Sequence, residues 1–104
     1  MPDSRGRILV VDDNRLNRMM LERALAQQGY AVGTAEDGRQ ALDRLAAEPF
    51  DIVLLDILMP EMDGYETLAA IKGDDALRHI PVIMISAVEE MDSVVRYQIG
   101  RAHV

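Results

Sequence analysis

The sequence has no cysteine and is short of basic residues, with 11 lysines and arginines against 18 aspartates and glutamates. Without cysteine there is no disulfide framework, no thiolate nucleophile and no thiolate metal site. The formal charge of −7 argues against nucleic acid and anionic membrane surfaces, which both recruit basic patches. It suits a cation or a basic partner surface instead. Long apolar runs are also missing: none approaches the roughly 20 residues a membrane helix needs. The polar start Met1-Pro2-Asp3-Ser4-Arg5-Gly6-Arg7 does not lead into a signal-peptide apolar run. No membrane partner and a cytoplasmic setting are the resulting expectations. Internal repeats, low-complexity tracts and linkers are absent as well.

What is present is a chain of 104 residues, 49% of them hydrophobic, which is enough for one domain with a real core. Its organising stretch is Asp51-Ile52-Val53-Leu54-Leu55-Asp56. Four apolar residues between two aspartates read as a short strand buried on both faces, as in a parallel sheet. Ile8-Leu9-Val10-Val11 and Val82-Ile83-Met84-Ile85 are two more such runs. Tyr30 to Ala35 is a weaker strand, with Gly33 in its interior.

Helical patterns separate the strands. Asn14 offers an N-cap for a helix from Arg15 to Gln28, in which Leu16, Met19, Met20, Leu21, Ala24 and Leu25 recur at helical spacing and Gly29 supplies the stop. Core filling is the expected role of its methionines. A second helix spans Arg39 to Ala47 after the turn Glu36-Asp37-Gly38, with Ala41, Leu42, Leu45 and Ala46 inward. Gly64 to Lys72 is a third, marked by Tyr65, Leu68, Ala69 and Ile71. Asp74 to Ile80 reads as a polar loop or a single turn. A last helix is expected from about Glu89 to Ile99. Strict strand–helix alternation with right-handed crossovers gives a parallel sheet covered on two faces.

In a parallel sheet, equivalent strand ends lie on one edge, which is where open α/β sheets bind ligands. Asp12 and Asp13 end the first strand, Asp56 the third, and Ser86 follows the fourth. If the first and third strands are neighbours, about 4.8 Å apart, three carboxylates crowd one pocket. They repel one another and raise one another's pKa. A hard divalent cation relieves that repulsion, and oxygen-only ligands select Mg²⁺ or a similar ion such as Mn²⁺ rather than zinc. A carboxylate beside such an ion can act as a nucleophile toward phosphorus and form an acyl phosphate. A hydroxyl such as that of Ser86 can hold a phosphoryl oxygen.

Three motifs, Ile8-Leu9-Val10-Val11-Asp12-Asp13-Asn14, Asp51 to Gly64 with its Met59-Pro60 and Asp63-Gly64 pairs, and Pro81-Val82-Ile83-Met84-Ile85-Ser86-Ala87, occur in order over most of the chain. Together they resemble the receiver domain of bacterial two-component response regulators. The resemblance implies a flavodoxin-like three-layer α/β sandwich, with Asp56 as phosphoacceptor and Asp12, Asp13 and Asp56 as metal ligands. It further implies the Leu58 backbone carbonyl as a metal ligand and Ser86 as the phosphoryl-binding switch hydroxyl. The phosphodonor would be a phosphohistidine on a sensor kinase or phosphotransfer protein. The domain would not be an enzyme beyond its own Mg²⁺-dependent phosphorylation and dephosphorylation.

The family pattern continues with a fifth strand carrying an aromatic residue, a lysine followed by proline, and a fifth helix. None of these follows Gly100. The expected sheet order is therefore 2-1-3-4, for a receiver domain over residues 1–104 that is incomplete at its C-terminus. The single lysine, Lys72, ends a helix that runs away from the acidic edge and cannot serve as the missing cation. Weak phosphorylation and self-association through the fourth strand or last helix are the expected consequences. Two other functions compete with this reading. One is a receiver-like module that only docks or dimerises. The other is a metal-dependent phosphohydrolase or nuclease, which is disfavoured because Leu58, not an aspartate, stands two residues after Asp56.

Overall fold

The computed structural model describes residues 6–56 and 64–85. Seven elements alternate along them: β1 (Arg7–Val11), α1 (Arg15–Gln27), β2 (Ala31–Ala35), α2 (Gly38–Ala47), β3 (Ile52–Asp56), α3 (Gly64–Lys72) and β4 (Val82–Ile85). The strands form one parallel sheet in the order β2-β1-β3-β4, as expected. The helix expected over 89–99 lies outside the described residues.

The apolar runs are continuous because both faces of the sheet are covered. Ile8, Val10 and Leu54 point to one side, where Leu21 and Leu25 of α1 meet them together with Ile85. Leu9, Val11, Val53 and Leu55 point to the other, against Ala41 and Leu45 of α2, Ile71 of α3, and Leu77 and Ile80 of the following turns. Strand side chains alternate between faces, so a run with no polar position is what a two-sided burial requires.

Local chemistry sets the helix ends. The Asn14 side chain accepts from the Asn17 N–H at 3.0 Å, and Asp37 accepts from the Gln40 N–H at 2.8 Å. Each satisfies a backbone donor that a helix start leaves open. Gly29 turns the chain out of α1 at φ +97°, a left-handed conformation that favours glycine. Residues 74–80 form turns in which the Leu77 and Arg78 N–H groups donate to the Asp74 carbonyl. The Lys72 ammonium donates to the carbonyls of Arg78 and Ile80, both at 3.1 Å. Lys72 is thus engaged where the chain approaches the start of β4, at the edge of the sheet opposite the strand-end acids.

Three sequence expectations are corrected. Leu16, Met19 and Met20 do not fill the core. They are 64%, 47% and 51% exposed, and they line a surface groove of about 350 Å³ with Arg23, Ala24 and Gln27. A helix on a flat sheet buries only a narrow stripe, and Leu21 and Leu25 occupy it; Met20 lies about 100° away around the axis. Ala46 of α2 is likewise exposed. On α3 the buried positions are Gly64, Thr67 and Ile71, while Tyr65 is exposed.

Gly33 does not break its strand; it serves it. A Cβ built there would lie 3.0 Å from the Phe50 ring and 3.3 Å from an Arg44 nitrogen. Phe50 is buried, and its other neighbour Arg7 sits with its guanidinium 5.6 Å from the ring centroid. Gly33→Ala should lower the urea midpoint, by about 1–2 kcal/mol of overpacking. The loss should shrink in a Phe50→Leu background. Equal losses in both backgrounds would show that the ring is not the obstacle.

Candidate functional site

Strand pairing assembles the acids. The register Val11↔Leu55 brings Asp12, one residue on, alongside Asp56, and Asp56 itself pairs with Ile85 of β4. The Asp12 N–H donates to the Ala35 carbonyl at 3.1 Å, which ties the end of β1 to β2. One carboxylate oxygen from each of Asp12, Asp13 and Asp56 lies within 4.8 Å of the others. Asp12 is 1% exposed and Asp56 9%, while Asp13 faces solvent.

The N-cap and first turn of α1 hold Asp12 in place. The Asn14 N–H donates to its Oδ1 at 2.8 Å, and the Asn17 amide approaches its Oδ2 at 3.5 Å. Arg18 Nη1 donates to the Asp12 backbone carbonyl at 2.8 Å. The sequence reading identified Asn14 as a cap and overlooked Asn17 and Arg18. Their spacing from Asn14, three and four residues along one helix face, was the available signal.

Burial pushes the Asp12 carboxyl above its ordinary aspartate range, and the neighbouring Asp13 charge adds to the rise. Hydrogen bonds from the Asn14 N–H, the Asn17 amide and the Asp56 carboxyl pull in the opposite direction without cancelling it. The main cost at this site is thus the burial of the Asp12 anion. The donors are oxygens alone, two of the three acids are buried, and one is destabilised as an anion. That set fits a hard divalent cation such as Mg²⁺ and does not fit zinc.

Asp12, Asp13 and Asp56 are brought together as the sequence suggested. Ser86 and Leu58, with the Met59-Pro60 and Asp63 positions, lie outside the described residues. His79 is exposed.

Comparison with known proteins agrees with this geometry. A family model described as the response regulator receiver domain matches residues 8–103. Response regulator PleD of Caulobacter vibrioides is 47% identical over 84 residues, which is 81% of this chain and 18% of PleD. Response regulator MprA of Mycolicibacterium vanbaalenii is 45% identical over 83 residues, covering 78% of this chain and 34% of MprA. The chain therefore spans only a minor part of the length of these relatives. Among solved structures, the N-terminal domain of a response regulator receiver protein from Methanoculleus marisnigri superposes with a TM-score of 0.78 at 43% identity. That match covers 90% of this chain and 80% of the other.

The raised Asp12 carboxyl has a consequence for stability. The folded protein keeps this proton to a higher pH than the unfolded chain does. Asp12 therefore weakens the metal-free fold at neutral pH, and that penalty disappears as pH falls through the raised value toward the ordinary aspartate range. Asp12→Asn should raise the urea midpoint of the metal-free protein at pH 7 and flatten the decline in stability above that range. A lower midpoint with an unchanged pH profile would contradict it.

Proposed function

The chain belongs to the response regulator receiver domain family, and from that premise we propose that it accepts a phosphoryl group on Asp56 from a phosphohistidine of a sensor kinase or phosphotransfer protein. The observation that carries this reading is the convergence of three carboxylate oxygens within 4.8 Å at the carboxyl ends of adjoining strands. Asp56 supplies the nucleophile: a carboxylate oxygen forms the new bond to phosphorus, and the donor imidazole leaves with the electron pair of the broken P–N bond. Asp12 and Asp13, with the Leu58 carbonyl, would hold Mg²⁺ beside it. When bound, the ion neutralises charge on the transferring phosphoryl group. Ser86 is assigned to a phosphoryl oxygen, a role supported by the register that sets Ile85 beside Asp56.

On this reading the domain, taken as residues 1–104, works on its own aspartate and has no separate substrate. No helix among the described residues is long and apolar enough to cross a membrane, which agrees with a cytoplasmic site of action. The net charge of −7 gives no electrostatic attraction to nucleic acid.

The test uses the purified chain with Mg²⁺ and acetyl phosphate. A phosphoryl-sized mass increase should appear in the wild type, vanish in Asp56→Asn, and vanish when the ion is chelated. No increase in a folded protein would favour a module that only docks.

Self-association belongs to the same proposal. Among the described residues β4 is an edge strand, with Val82, Ile83 and Met84 only partly buried. Unprotected apolar edges invite pairing. Light scattering over a wide concentration range should reveal a mass that grows with concentration; a constant monomer mass would exclude this part.

A further inference from the structure

We infer that Arg18 is a positioning residue for the acidic site, holding the turn that carries Asp12 and Asp13 in its metal-ready geometry; the inference rests on the receiver reading. Its Nη1 donates to the Asp12 carbonyl at 2.8 Å, and its Nη2 stands 3.9 Å from Glu36 Oε2. The Arg18 side chain is 14% exposed, so the bond to Asp12 is shielded from water, whereas Glu36 is 63% exposed. The Arg18 backbone N–H donates to the Asn14 carbonyl at 3.0 Å, which fixes the base of the side chain to the first turn of α1. Arg18 thus joins the end of β1, the start of α1 and the turn after β2.

The peptide unit explains why this bond governs two acids. The carbonyl of Asp12 and the N–H of Asp13 lie in one plane. Fixing the orientation of that carbonyl fixes the plane, and with it the starting direction of Asp13. On its other side Asp12 is already held through its own N–H to Ala35. Its carboxylate is held by the Asn14 N–H. With Arg18 in place the acid-bearing turn is constrained before any ion arrives. Without it the Asp12 carbonyl loses a charged donor in a largely buried setting, and the turn is free to rotate.

A simple electrostatic role makes the opposite prediction. A guanidinium near the site repels a divalent cation, so its removal alone should tighten binding. Positioning predicts weaker binding. The sign of the change separates the two roles.

The experiment is an Mg²⁺ titration of the purified chain by calorimetry, with urea unfolding run in parallel, on the wild type, Arg18→Met, Arg18→Lys and Glu36→Gln. Arg18→Met should bind Mg²⁺ about tenfold more weakly, the scale seen when a partner that orients a ligand is lost. Arg18→Lys, which keeps one donor, should recover part of the loss. Glu36→Gln should bind within about twofold of the wild type, since an exposed ion pair at that distance contributes little. In phosphorylation assays, Arg18→Met should move the Mg²⁺ half-saturation more than the maximal rate. Unchanged or tighter binding by a folded Arg18→Met overturns the inference; if that variant does not fold, unchanged or tighter binding by a folded Arg18→Lys overturns it. A wild type that does not bind Mg²⁺ defeats the receiver reading itself, and this inference with it.

Discussion

The gathering of Asp12, Asp13 and Asp56 at one rim, two of them buried, is the constraint around which the rest of the structure is built. Burying a carboxylate costs free energy, so a scaffold must hold these groups in place. Here that scaffold is the pairing of β1 with β3, flanked by β2 and β4, with apolar side chains sealing both faces. The sheet can therefore keep the acids close, and a site that stores unfavourable electrostatics is one that binds a cation favourably.

The support is distributed unevenly over the three acids. Asp12 is buried and bonded on every side, by Ala35, Asn14, Asn17 and Arg18. Asp13 is exposed. Asp56 closes β3 and is set by strand pairing on two sides, through the β1 register and its partner Ile85. One acid is thus anchored, one faces solvent, and one ends the central strand. Helix α1 connects this rim to the outside: its first turn buttresses Asp12, and its other face carries the exposed Leu16, Met19 and Met20.

Charged groups away from the rim do structural work. Lys72 ties the end of α3 to the turns before β4. Arg44 joins Thr34 to Glu48, and Arg7 reaches the same Glu48 from β1 while lying near the Phe50 ring. The contacts of Lys72 and Arg7 lie at the amino-terminal ends of the strands, opposite the acids, whereas Arg44 reaches Thr34 near the carboxyl end of β2.

Much of this was written in the sequence. Unbroken apolar runs such as Ile52–Leu55 read as strands covered on two sides, and Asn14 and Gly29 mark helix ends through local hydrogen bonding and backbone freedom that need no tertiary context. The strand-end positions of Asp12, Asp13 and Asp56 followed from the same runs. What composition and spacing could not specify is adjacency. Only the pairing of β1 with β3 brought Asp56 into one cluster with Asp12 and Asp13, which lie 44 and 43 residues from it in sequence. Only packing decided that Gly33 makes room for Phe50, that Met19 and Met20 stay outside, and that Arg18 turns inward to Asp12. Periodicity records how many faces a helix could bury, whereas the neighbour that arrives determines which one it does.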